Sequence, residues 1–98
     1  MRVSGKPTII NDTLSIANTE YTISLPLNCH KFSIKSRSAA EIKLATVTGE
    51  SGTNYITIPN GVSYWEDGIR FNSKLYVQSP TAGIIVEVIA WNGGDDVI

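Results

Sequence analysis

Ala82-Gly-Ile-Ile-Val-Glu-Val-Ile-Ala-Trp91 is the stretch of this 98-residue chain whose reading decides the fold. Six of its residues are Ile, Val or Trp; Ser79-Pro-Thr precedes it and Asn92-Gly-Gly follows it. β-Branched and aromatic residues between turn-formers are strand chemistry, because such side chains pack well on a pleated surface. In an extended chain successive side chains point to opposite faces. Ile84, Val86 and Val88 therefore share one face, and Ile85, Glu87, Ile89 and Trp91 share the other. Both faces are apolar, with Glu87 the one charge, so both need cover. A central strand covered by a loop supplies that cover, and so does a second subunit.

Working outward from this strand, a period of two recurs and a helical stripe does not. Tyr21, Ile23 and Leu25 alternate with Thr22 and Ser24, Phe32 and Ile34 with lysines and Ser33, and Ile42 and Leu44 with Glu41 and Lys43. Ile56 and Ile58 alternate with Tyr55 and Thr57, and Leu75 and Val77 with Lys74, Tyr76 and Gln78. Weaker strands are expected at Thr8–Ile10, Thr13–Ala17, Val62–Glu66 and Ile69–Phe71. Between the runs stand turn-formers: Asn11-Asp12, Asn18-Thr19, Pro26 to His30, Gly49 to Asn54, Pro59-Asn60-Gly61 and Glu66-Asp67-Gly68. Asn60-Gly61 suits a tight turn, since both residues accept positive φ. The expected core is Tyr21, Ile23, Leu25, Phe32, Ile34, Ile42, Leu44, Ile56, Ile58, Leu75, Val77, Ile84, Val86 and Val88. Short strands at this spacing predict an all-β fold: a single-domain β-sandwich, jelly-roll-like, with about eight short strands. The expected layout is an N-terminal arm with the first short strands over 1–19, the sandwich over 20–92 and a flexible tail over 93–98.

Composition narrows the function classes. Charged residues make up 17% of the chain, against about 25% in ordinary globular proteins, which fits a surface largely in contact with something. The net charge is −1, so nucleic acid is not an expected partner. The charges are uneven: six basic and three acidic residues up to Lys43, then two basic and six acidic. Opposite ends could meet across a subunit contact, or both could simply be solvated. No apolar run approaches the roughly 18 residues of a membrane helix, and no basic-then-apolar leader opens the chain. A soluble protein made in a cytoplasm, without a membrane partner, is expected.

Catalytic chemistry is not expected. The one Cys and the one His are neighbours, Cys29-His30, and neighbours on an extended backbone point to opposite sides. A thiolate–imidazole pair must instead face each other across space. One Cys and one His cannot supply the four ligands of zinc. Glu66-Asp67 and Asp95-Asp96 lack a calcium-binding loop. No metal, no cofactor and no enzyme activity are therefore expected. The candidate contact residues are Ile85, Ile89 and Trp91, with Tyr64, Trp65 and Tyr76. A second candidate is a basic strand face of Lys31, Lys35 and Arg37 with Lys43, without stacking aromatics clearly interleaved.

One resemblance bears on function. Tyr55-Ile-Thr-Ile-Pro-Asn-Gly-Val-Ser-Tyr64 is followed by Lys74-Leu-Tyr-Val-Gln-Ser79 and then by Gly83 to Trp91, with His30-Lys-Phe-Ser-Ile-Lys-Ser36 and Glu41-Ile-Lys-Leu44 ahead of them. This order resembles the small β-sandwich accessory proteins (decoration, neck or tail) of tailed-bacteriophage virions, over roughly residues 20–92. The resemblance implies a structural role in the virion. The partners it implies are further copies of the chain, such as a trimer, and a capsid or tail protein. Capsid decoration is the first expectation, and a neck, tail or fibre component the second. In such a protein the segment Met1–Thr19 would reach a neighbouring subunit. A carbohydrate-binding β-sandwich, with Tyr64-Trp65 as its platform, is the expectation from a different class.

Overall fold

In the computed structural model, which describes residues 7–26, 29–67 and 74–92, eight strands form two antiparallel four-stranded sheets. They are β1 (Thr8–Leu14), β2 (Tyr21–Ser24), β3 (Cys29–Ser36), β4 (Ile42–Ala45), β5 (Ile56–Ile58), β6 (Tyr64–Asp67), β7 (Lys74–Gln78) and β8 (Ile84–Asn92). One sheet has the order β1-β8-β3-β6 and the other β2-β7-β4-β5. Among the described strands the chain crosses between sheets at nearly every step, and only β4 and β5 form a hairpin within one sheet. This is the jelly-roll arrangement of a β-sandwich.

The decisive stretch is β8, and it is a central strand: β1 pairs along one side of it and β3 along the other. Its inward residues Ile84, Val86, Val88 and Ala90 meet Phe32 and Ile34 of β3. From the facing sheet come Ile23, Ile42, Leu44, Ile58, Leu75 and Val77. Twelve of the fourteen expected core positions are buried. Tyr21 is only partly buried against the core, and Ile56 is 43% exposed.

Three expectations need correction. Asn11-Asp12 is not a turn: Thr8–Leu14 is one strand, with Asn11 opposite Glu87 and Asp12 opposite Val86. The nine-residue β8 offers a partner at each of these positions, so tertiary pairing overrides the local turn preference. Thr8–Leu14, expected ahead of the sandwich, is accordingly a strand of it, with Leu14 fully buried. Asp67, expected in a turn, belongs to β6, which begins at Tyr64 rather than Val62. The strand expected at Ile69–Phe71, residues 1–6 of the arm and the tail over 93–98 lie outside the described residues.

The loops have definable anchors. The Val62 amide donates to the Pro59 carbonyl at 3.2 Å, with Gly61 at φ +82°, a conformation L side chains rarely adopt. At the same end of the sandwich the Asn18 amide donates to the Ser79 carbonyl and the Gly83 amide to the Leu14 carbonyl, both at 2.7 Å. These two bonds tie the β1–β2 connection to the β7–β8 connection.

Candidate functional site

The strand alternation builds a mixed apolar and charged surface on the outer face of the β1-β8-β3-β6 sheet. Register sets Ile9 beside Ile89, Ile89 beside Ser33, and Ser33 beside Trp65, one row across all four strands. The neighbouring row runs from Trp91 through Lys31 to Asp67. Ile9 is 68% and Trp65 58% exposed. The Lys31 ammonium lies 4.9 Å from the Trp91 ring centroid and 5.7 Å from that of Trp65. Both indoles therefore converge on one cation. Each such contact is worth about 0.5–1 kcal/mol at exposed sites.

Ile85, Ile89, Trp91 and Trp65 thus share one face, but the other two nominated contact residues do not. Tyr64 precedes Trp65 on the same strand, so it turns inward and packs against the core, its ring centroid 6.3 Å from that of Phe32. Tyr76 belongs to β7 in the opposite sheet, between the buried Leu75 and Val77, and so looks out on the far side. The basic residues divide in the same way. Lys31 and Lys35 stand on the aromatic face, and Arg37 reaches it from just beyond β3. Lys43 lies in the other sheet, 5.0 Å from the Tyr55 ring centroid. The basic strand face does carry interleaved aromatics after all. Trp65 and Trp91 come from β6 and β8, far from β3 in the chain, so no local window of sequence contains them.

The charges of the two halves of the chain meet within the subunit. Arg37 Nε donates to Glu87 Oε2 at 2.6 Å, and Lys35 Nζ lies 3.5 Å from Glu87 Oε1. The hydrogen bond from Arg37 holds the Glu87 carboxyl below the usual carboxylate range, with Lys35 adding to the effect. Lys31 stands opposite Asp67 in the ladder. A shallow cleft of about 320 Å³ beside this network is bounded by Asn11, Ser33, Lys35, Arg37 and Glu87, with Ile89 as an apolar wall.

A second cleft, of about 390 Å³, opens between the two sheets and was not foreseen from the sequence. Its walls are Phe32 and Tyr64 from one sheet and Leu44 and Ile56 from the other, with Tyr55 and Glu66 among its other residues. The Tyr64 hydroxyl donates to Glu66 Oε1 at 2.5 Å, and this hydrogen bond raises the Tyr64 pKa. The signal available beforehand was the alternation Tyr64, Trp65, Glu66. It puts the Tyr and the Glu on one side of β6 and the Trp on the other.

Cys29 and His30 separate as their spacing requires. Cys29 pairs with Asn92 and Lys31 with Trp91, so His30 is the extra residue of a β-bulge. Cys29 is fully buried, its thiol donates to the Lys31 carbonyl at 3.3 Å, and burial pushes its pKa up. That is opposite to the shift an activated thiolate needs. Among the described residues no group of three or more His, Cys, Asp or Glu could hold a metal ion.

Neither a protein-family model nor a curated protein matches the chain. Among solved structures, the chain is similar to the solution NMR structure of a de novo designed double-stranded β-helix. The two are 11% identical over 89% of this chain and 99% of that one, with a TM-score of 0.55. At that identity the likeness concerns the fold alone.

Proposed function

We propose that this protein is a non-enzymatic structural component of a tailed-phage virion: a capsid decoration protein that works by burying the outer face of its β1-β8-β3-β6 sheet against further copies of itself and against the capsid. A place at the neck, tail or fibres is the alternative within the same reading. The observation that carries the assembly function is the run of Ile9, Ile89, Trp65 and Trp91 across that face. Exposed apolar patches on small proteins mark interaction sites, and Trp is enriched at interface centres. The paired charges of Lys35, Arg37 and Glu87 beside the patch suit the polar rim of such an interface. The virion assignment draws its support from the strand-and-turn pattern over residues 20–92.

Light scattering across a dilution series, on the wild type and on Trp91→Ala and Ile89→Asp, tests this. Truncating an interface anchor costs about 2 kcal/mol or more, so each variant should dissociate at protein concentrations at least about tenfold higher. Both should keep the wild-type circular dichroism, because these side chains point away from the core. Association of the variants at wild-type concentrations would remove the face from the assembly.

A second reading, carbohydrate binding, has its own observation. Trp65 is the ladder partner of Ser33, and Ser33 lines a cleft with Asn11, Arg37 and Glu87, so a stacking surface shares the face with hydrogen-bonding groups. A saturable change in Trp fluorescence during glycan titration, lost in Trp65→Ala, would favour it over self-assembly.

A further inference from the structure

The cleft between the sheets lies on the opposite side of β6 from the Trp face, and its chemistry is different. β5 and β6 are short edge strands, one in each sheet, and between them the gap between the sheets stays open. The resulting volume of about 390 Å³ falls within the roughly 300–1,000 Å³ typical of small-molecule sites. Two aromatic side chains from one sheet, Phe32 and Tyr64, contribute to its lining, and Tyr55 borders it. Phe32 and Tyr64 meet at 52°, so they form a corner rather than a stack. Leu44 and Ile56 supply an aliphatic wall. Glu66 is the one charged residue among those described that line the cleft. Its carboxylate is held in place by the Tyr64 hydroxyl.

We propose that this cleft binds a small organic cation, an ammonium group carrying alkyl substituents. Aromatic rings attract cations through their quadrupoles, and cages of such rings recognise quaternary ammonium groups. The alkyl groups would fill the aliphatic wall, and the positive charge would balance Glu66. A neutral ligand of the same shape would cover that carboxylate with no counter-charge, which is costly. A metal ion would leave the aromatic and aliphatic walls unused. The Tyr55 ring is engaged by Lys43, which does not line the cleft, so the aromatic surface offered to the cation is the corner of Phe32 and Tyr64. The proposal does not rest on the assembly reading, because it uses inward-facing residues.

The test is an amide chemical-shift titration of the full chain with choline and, separately, with its neutral isostere 3,3-dimethyl-1-butanol. Choline is expected to shift Tyr55, Ile56 and Tyr64 saturably, and the neutral alcohol to bind at least about tenfold more weakly. Glu66→Gln should lose most of that preference while remaining folded, since Glu66 is exposed. Trp91→Ala, which probes the assembly face, should bind choline as the wild type does. Equal binding of both probes would show an apolar cleft without cation selectivity, and absence of a saturable shift with choline would show no site. Either result overturns the proposal.

Discussion

At the scale of single residues, Glu20 does more for the fold than its place in a short connection suggests. Its carboxylate accepts from the Gly49 amide at 2.7 Å, the Ser51 amide at 3.0 Å and the Ser51 hydroxyl at 2.6 Å. Gln78 in turn donates to the Ser51 hydroxyl oxygen at 2.9 Å, and Ser51 is fully buried. One side chain thereby organises the long β4–β5 loop. These bonds, led by the Ser51 hydroxyl, lower the Glu20 pKa from its ordinary value. A carboxyl whose folded pKa is depressed stabilises the fold above its unfolded pKa, and that contribution fades as pH falls through the folded value. Glu20→Gln should therefore lower the Tm at about pH 7 by several degrees, in keeping with about 1 kcal/mol for a partly solvated charged hydrogen bond. At about pH 2–3 the two proteins should melt nearly together. A gap in Tm that persists unchanged into acid would show that the carboxylate charge is not what matters. None of this was legible beforehand, because Glu20 and Ser51 are far apart in the chain and neither belongs to a motif.

Among the elements, β1 departs most from its sequence. Asn11-Asp12 looks like punctuation, yet both residues sit mid-ladder. Asp12 lies in register with the inward-facing Val86 and is half-buried. An inward-pointing charge on an edge strand is one means by which β-proteins discourage pairing with stray strands, and β1 is an edge. Leu14 then anchors the strand in the core. Leu14→Ala should cost about 2–5 kcal/mol, lowering the Tm by roughly 10 °C or more. Thermal denaturation checks it, and a change of a degree or two would mean that β1 is dispensable. The other strands were legible because their alternation is clean: β3, β4, β7 and β8 each place their expected core residues inward. What alternation cannot show is which strand lies beside which. The outer face of β8 could be assigned from sequence, whereas its assembly with Lys31 and Trp65 into one surface depends on register. The inter-sheet cleft depends on two short edges meeting, which no single segment announces.

Across the whole molecule, the pairings are overwhelmingly non-local. β1 pairs with β8, β2 with β7 and β3 with β8, so most of the chain must be present before either sheet can close. Loop-closure entropy is then lost well before contacts compensate for it, and sandwiches of this kind fold in milliseconds to seconds. Stopped-flow refolding followed by Trp fluorescence should show relaxation on that scale. Completion within microseconds would mean that local structure, not sheet topology, limits the rate. The jelly-roll class itself was legible, since strand count, spacing and turn chemistry all point to it. The strand order is what converts a list of amphipathic segments into an aromatic face on one side of β6 and a cleft on the other.

The register of β1 against β8 carries one more consequence. Thr8 stands opposite Ala90, so the polypeptide leaves the sandwich at the corner where it entered. Apart from one missing link, the fold is a ring. A short linker from the start of β1 to the end of β8 would close that ring without disturbing either sheet, and the exposed turn at Asn60-Gly61 offers a natural place to reopen it.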